Sequence, residues 1–140
     1  MQTSLKKIEA FLDSHHVLSL ATSSKDELSV CNLFYAYDKQ SSTFIVASSD
    51  ATTHIKHIKD NNIVAGSVVL ETKTIGKIQG LQFRGIFSIL EDKILSKLYY
   101  KEFPASLVMK PQFWQIKIEN FKMTDNTLGF GEKLLWSRTT

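Results

Sequence analysis

Residues 48–61 read SSDATTHIKHIKDN. Ser48, Ser49, Ala51, Thr52 and Thr53 surround one aspartate, and a short amphipathic run carrying His54, Lys56, His57 and Lys59 follows. A helix beginning here brings unpaired backbone N–H groups and the positive end of its dipole to the same place as the threonine hydroxyls. That is the chemistry of an anion site. His54 can donate a hydrogen bond, and gains strength where an anion keeps it protonated. Lys56 or Lys59 adds longer-range attraction. The same residues also fit a plainer role, in which Asp50 or Ser49 caps the helix and the threonines lie on its solvated edge.

Other residues offer less. Gln82 and Arg84 stand two apart in an alternating run, so both leave one face of a strand; that face meets either a polar ligand or solvent. Asn32 is flanked by apolar residues and needs a partner if buried. Trp136 follows TDNTLGFG, whose two glycines allow close backbone approach to something bulky; it is either a stacking group or a core anchor. His54 and His57 form H-x-x-H without a third nitrogen or thiolate at matching spacing, so no metal site is expected. His15 and His16 mark a strand entrance. Cys31 sits in an apolar strand with no activating base and reads as a buried thiol. No Ser-His-Asp spacing, Walker loop or paired carboxylates stand out, and no catalytic acid or base is assigned.

These residues must be positioned by a chain of 140 residues, 43% hydrophobic and 22% charged, which fits one globular domain over residues 1–140. The net charge of +3 is mild and its lysines are scattered, so no nucleic-acid partner is expected. A single cysteine, no signal-peptide core and no apolar run of membrane-spanning length point to a cytoplasmic protein without a membrane partner. Leu5, Ile8, Phe11 and Leu12 predict a helix to about Ser14, with Thr3 or Ser4 as its cap. VLSLAT (17–22) and SVCNLFYAY (29–37) predict a hairpin across SSKDE, and TFIVA (43–47) a third strand. IVAGSVVL (63–70) reads as a fully buried strand. GLQFRGIFSIL (80–90) alternates, with Leu81, Phe83, Phe87 and Ile89 on one face. Asp92 to Phe103 reads as a helix that Pro104 stops. Phe113 to Met123 is a strand, and 124–138 a glycine-containing tail. Trp114 and the phenylalanines are assigned to the core. The fold class is mainly β (α+β): six to seven antiparallel strands with about three short helices, closed as a small barrel to protect the sheet edges.

Two segments resemble a known superfamily. HHVLSLATSSKDELSVCNLFYAYD, with Leu20-Ala21-Thr22 and Tyr35-Ala36-Tyr37-Asp38, is similar to the opening hairpin of the pyridoxamine-phosphate-oxidase-like FMN-binding split barrels. STFIVASSDATTHIKHIKDNNIVAGSV resembles that superfamily's strand, hydroxyl-rich turn, helix and strand. LQFRG at 81–85 together with TDNTLGFGEKLLW at 124–136 resembles its YhbP-like branch. Two positions depart from the pattern: Asp26-Glu27-Leu28-Ser29 replaces the usual Asp-Gly-x-Pro turn, and His54 stands where many relatives carry lysine or arginine. The resemblance implies a homodimer with FMN at its interface and the phosphate beside the helix that follows residue 52. It implies contacts from Asn32, Ser49, Thr52, Thr53, His54, Gln82, Arg84 and Trp136. The implied activity is that of a flavin-dependent oxidoreductase or flavin reductase. The alternative is a non-catalytic dimer holding haem, another tetrapyrrole or flavin, with His15, His16, His54 or His57 as candidate iron ligands.

Overall fold

Apolar residues at helical spacing bury one face of α1 (Gln2–Asp13), with Ile8 and Leu12 completely enclosed. The computed structural model describes residues 2–139. Thr3 and Ser4, expected as caps, lie within the first turn because the helix starts upstream of them. β1 (Val17–Ser24) and β2 (Glu27–Phe34) pair residue for residue, from Val17 with Phe34 to Ser24 with Glu27. Both strands run into the predicted loop, leaving Lys25 and Asp26 as the turn; Lys25 adopts φ of 55°.

The second strand is shorter than the sequence implies. Tyr35 interrupts it: its N–H donates to His16 O and its hydroxyl to Leu12 O, and the chain then re-enters the sheet as β3 (Ala36–Asp38). Next come β4 (Thr43–Ala47), α2 (Thr53–Asp60), β5 (Ile63–Val69) and β6 (Gln79–Ile89). Asp92 to Phe103 is not one helix. A 3₁₀ turn (Lys93–Leu95), capped by Asp92, leads into α3 (Ser96–Glu102), and Pro104 opens a further 3₁₀ segment (Pro104–Met109). Proline suits that first position, where an N–H has no helical partner to lose.

β7 (Phe113–Asp125) is the longest strand, and β8 (Lys133–Ser137) occupies what the sequence presents as a tail. Asp125 Oδ1 accepts from Thr127 N and Asn126 Oδ1 from Gly131 N; with Gly131 at φ 74° these bonds turn the chain back so that residues 133–137 pair with β7. The sheet order is β2-β1-β5-β6-β7-β4-β3, with β8 beside β7. Every pairing among the described residues is antiparallel. The two end strands, β2 and β3, are joined through Tyr35 alone, so the sheet curls into a split barrel. β7 borders β6 along one edge and shares its other edge between β4 and β8.

The barrel interior centres on Phe44, whose ring lies 5.0 Å from both Tyr35 and Phe83 and 5.1 Å from Tyr37. Trp114 joins this core, and its indole N–H donates to Ser48 O. Phe34 and Phe130 do not; both are exposed, so the assignment of all phenylalanines to the core is corrected. β5 is not fully buried either. It alternates, with Val64 and Val68 inward and Ile63 and Val69 57% and 64% exposed, because the core covers only its inner side. On β6, Leu81, Phe83 and Phe87 face inward as expected, but Ile89 ends the strand at the rim and Leu90 takes the buried place. Among the described residues no helix is long and apolar enough to cross a membrane.

Candidate functional site

The outward faces of five strands form one surface. In register across it run Asn32 (β2), Ser19 (β1), Ser67 (β5), Gln82 (β6) and Lys122 (β7). The neighbouring row runs Val30, Ala21, Ala65, Arg84 and Asn120. Cross-strand partners share a face, so each row is a physical line of side chains. Ala21, Ala65, Gly66, Ser67, Gln82, Arg84, Asn120 and Lys122 line a cavity of about 440 Å³ there. Its floor is low because Ala65, Gly66 and Ser67 are small. Gly66 is required: a Cβ there would lie 2.3 Å from both Phe83 Cζ and Ser19 O.

The cavity is cationic. Arg84 and Lys122 supply two positive charges, and no lining residue is acidic. Among the described residues the ion pairs are Lys39–Asp13 and Lys59–Asp50, so neither cation is neutralised by a carboxylate within 4 Å. Glu119, at the register shift opposite Arg84 and Gly85, does not pair with them. Asn32, at the far end of its row, is exposed rather than buried, and accepts a hydrogen bond from Ser19 Oγ at 2.9 Å. Exposed Leu28, Val30, Phe34 and Val69 add apolar area to the same outer surface.

The second group lies at the start of α2, and no α2 residue lines that cavity. Neither Asp50 nor Ser49 caps this helix; Thr52 occupies the cap position and makes no side-chain cap bond. Its hydroxyl donates to Ser49 O at 2.8 Å instead. His54 is 7% exposed. Its Nε2 shares a hydrogen bond of 2.5 Å with Ser48 Oγ and lies 3.3 Å from Thr52 Oγ1. Burial, and after it the neighbouring His57, push the His54 pKa down. Both disfavour the charged form, in which the imidazole would hold an anion most strongly. His57 is buried too, with Nδ1 2.9 Å from Thr22 Oγ1, which fixes α2 to β1. Thr53 begins the helix with its backbone amide in the first turn.

The remaining candidates fall elsewhere. Trp136 pairs with Phe121 across β8 and β7, its ring 5.7 Å from that core phenylalanine, on the opposite side of the sheet from Gln82 and Arg84. Arg138 lies over its other side, at 5.9 Å from the ring centre. Arg138 also donates to Ile118 O, Ser41 O and Ser42 O. Cys31 is half-buried rather than buried, and desolvation raises its thiol pKa. His15 Nδ1 lies 2.8 Å from Phe11 O, and its ring stacks on Phe11 at 4.2 Å. His16 meets Phe103 edge-on. Among the described residues, no group of three metal-ligating side chains comes together.

Sequence reasoning missed Lys122 and Asn120. Their outward direction is legible from the alternation with Phe121 and Met123. Their place beside Gln82 and Arg84 is not, because the β6–β7 register shifts between Arg84 and Gly85.

Fold and outer surface together define a split-barrel type of protein, mainly β with a curled antiparallel sheet. No family model matches the chain. Relatives are close, however: it is 36% identical over 134 residues to a UPF0306 protein of Photorhabdus laumondii, covering 94% of each chain. It is 34% identical over 139 residues to the UPF0306 protein YhbP of Escherichia fergusonii, covering 97% of this chain and 95% of that one. The chain belongs to the UPF0306, YhbP-like family. Among solved structures it superposes on a haem-binding protein from Mycobacterium smegmatis with a TM-score of 0.77 and 12% identity, covering 96% of this chain but spanning 57% of that one. A FAD-binding protein from Mesorhizobium loti matches with a TM-score of 0.67 and 19% identity, over 84% of this chain and 89% of that one. HutZ, a haem storage protein from Vibrio cholerae, matches at 0.66 and 14%, over 81% and 89%. These likenesses establish the shared fold.

Proposed function

We propose that this chain is a homodimeric FMN-binding split-barrel protein of the pyridoxamine-phosphate-oxidase-like superfamily, acting in the cytoplasm as a flavin-dependent oxidoreductase or flavin reductase. One observation carries the reading. The outer sheet surface combines a low floor of small residues, a row of amide and cationic side chains, and exposed apolar residues beyond them. A planar ring fits such a floor, and a second copy covering the apolar residues would close the cavity in a self-complementary interface. That one structural neighbour binds FAD supports a flavin.

The residues present suit the group. Gln82 would hydrogen-bond the polar edge of the ring, with Asn32 a further contact in the same row. Thr52, Thr53 and Ser49 with the α2 amides would hold the phosphate, His54 joining them once protonated. Trp136, packed on Phe121 at the other face of the sheet, takes no part in this cavity. Flavin itself supplies two-electron transfer, so the protein's task is binding, orientation and electrostatic tuning.

A second reading, a non-catalytic haem or flavin carrier, is favoured by the haem-binding neighbours. Absorption of freshly purified protein separates the two, since flavin and haem have distinct bands, and native extraction with mass measurement identifies the small molecule. A flavin mass with a dimer by sedimentation supports the first reading. A Soret band replaces it with the second, and a monomer that takes up neither ligand ends both.

A further inference from the structure

We propose that Arg84 and Lys122 form an anion-holding pair separate from the phosphate site, seating the electronegative edge of a planar ring. The inference rests on the ring-binding reading of the outer surface and deepens it. Two cations opening on one cavity, with no acid in its lining, repel each other and are stabilised by whatever negative charge enters. The rows fix their placement: Lys122 pairs with Gln82, Arg84 with Asn120, so the cations sit diagonally and each has a carboxamide beside it. No side-chain hydrogen bond within the described chain engages Gln82, Arg84, Asn120 or Lys122, although the same sheet ties down Asn32, Gln79, Gln115 and Asp125. This donor set is therefore free to meet a ligand.

On the reading above the phosphate is held at α2, none of whose residues lines this cavity. What remains is the ring's own edge: the carbonyl-rich pyrimidine side of a flavin or the carboxylates of a tetrapyrrole. The shared chemistry is a flat aromatic body with an electron-rich rim on the Ala21–Ala65–Ser67 floor. Lys122 is thereby assigned a specificity role.

The test titrates riboflavin, FMN and haemin separately into wild type, Lys122→Gln, Arg84→Gln, Lys122→Arg and the off-cavity control Lys117→Gln. Riboflavin lacks the phosphate, so it reports on the ring alone. Each glutamine variant is expected to weaken riboflavin and FMN by the same factor, roughly tenfold. Lys122→Arg should restore most of it, and Lys117→Gln should change nothing. The ring absorption band should shift between wild type and Lys122→Gln, a change that altered folding stability alone would not produce. Wild type that takes up haemin but neither riboflavin nor FMN, with haemin affinity lost in both glutamine variants, supports the pair as a carboxylate seat while removing the FMN reading. Unchanged riboflavin affinity in both glutamine variants, with wild type binding it, overturns the inference and leaves the FMN reading standing. Wild type that binds none of the three overturns both.

Discussion

The outer sheet surface and the α2 N-terminus are built on opposite plans. On the sheet, polar side chains stand in register and mostly point away from one another into a cavity, held apart by rigid strand geometry. At α2, the polar groups face inward and satisfy each other: Ser48 with His54, Thr52 with Ser49, His57 with Thr22. The first region is ready for a ligand at no cost in internal bonds. The second must give up a Ser48–His54 bond and protonate a buried imidazole before it can clasp an anion at full strength. Polarity at a site is thus a poor guide to readiness; the guide is whether donors are already engaged.

The comparison can be broken from either side. The largest effect is expected for Gly66→Val, which forces a branched side chain against Phe83 and the Ser19 carbonyl under the cavity floor. It should cost ~3 kcal/mol, read by urea unfolding. Retained stability would mean the floor is not rigid. Next, Ser48→Ala should cost about 1 kcal/mol by leaving His54 without its short partner, whereas Gln82→Ala on the open face should lie within ~0.5 kcal/mol. Equal losses would erase the contrast between the two regions.

A third outcome concerns pH. Because burial depresses the His54 pKa below its ordinary value of 6.5, the unfolded chain binds more protons in the window beneath that value. Stability should be full above pH 6.5 and decline as pH falls toward the folded-state pKa. The groups around α2 offer little relief: Thr22 and Ser24 from the hairpin, Asp60 on the helix itself, bonded to Ser24 Oγ, and His57, which pushes the same way. His54→Gln should flatten the pH profile of the melting temperature, and a profile identical to wild type would show that His54 does not titrate there. If FMN is the ligand and His54 meets its phosphate, the same linkage should weaken FMN affinity as pH rises, while riboflavin affinity should stay level. The smallest effect is expected for Lys59→Ala. Its contact with Asp50 is 3.7 Å long and exposed on both sides, worth less than ~0.5 kcal/mol.

The legible part of the fold was what local pattern controls. Alternation in GLQFRGIF placed Leu81, Phe83 and Phe87 inward and Gln82 and Arg84 outward, because the strand period is two. The illegible part was long-range. β5, IVAGSVV, reads as an almost wholly apolar run, yet its outer half is exposed; apolarity alone cannot distinguish a core face from an uncovered one. β8 hides in a stretch rich in glycine, and only the turn bonds of Asp125 and Asn126 bring residues 133–137 back beside β7. At the site, the helix position of His54 was readable but its inward rotation was not, since that depends on Ser48, just after β4, where Trp114 holds its carbonyl.

The central place of β7 has a bearing on biosynthesis. β4 leaves the ribosome long before β7, yet β7 is its partner on the side away from β3 and supplies Trp114, Ile116 and Ile118 to the barrel. Until that late strand emerges, Phe44, Ile45 and Val46 have no completed enclosure, and the nascent polypeptide carries a sticky, half-made sheet. Barrel closure therefore waits on a strand far along the chain from its partner, the kind of long-range pairing that folds slowly and leaves apolar surface uncovered meanwhile.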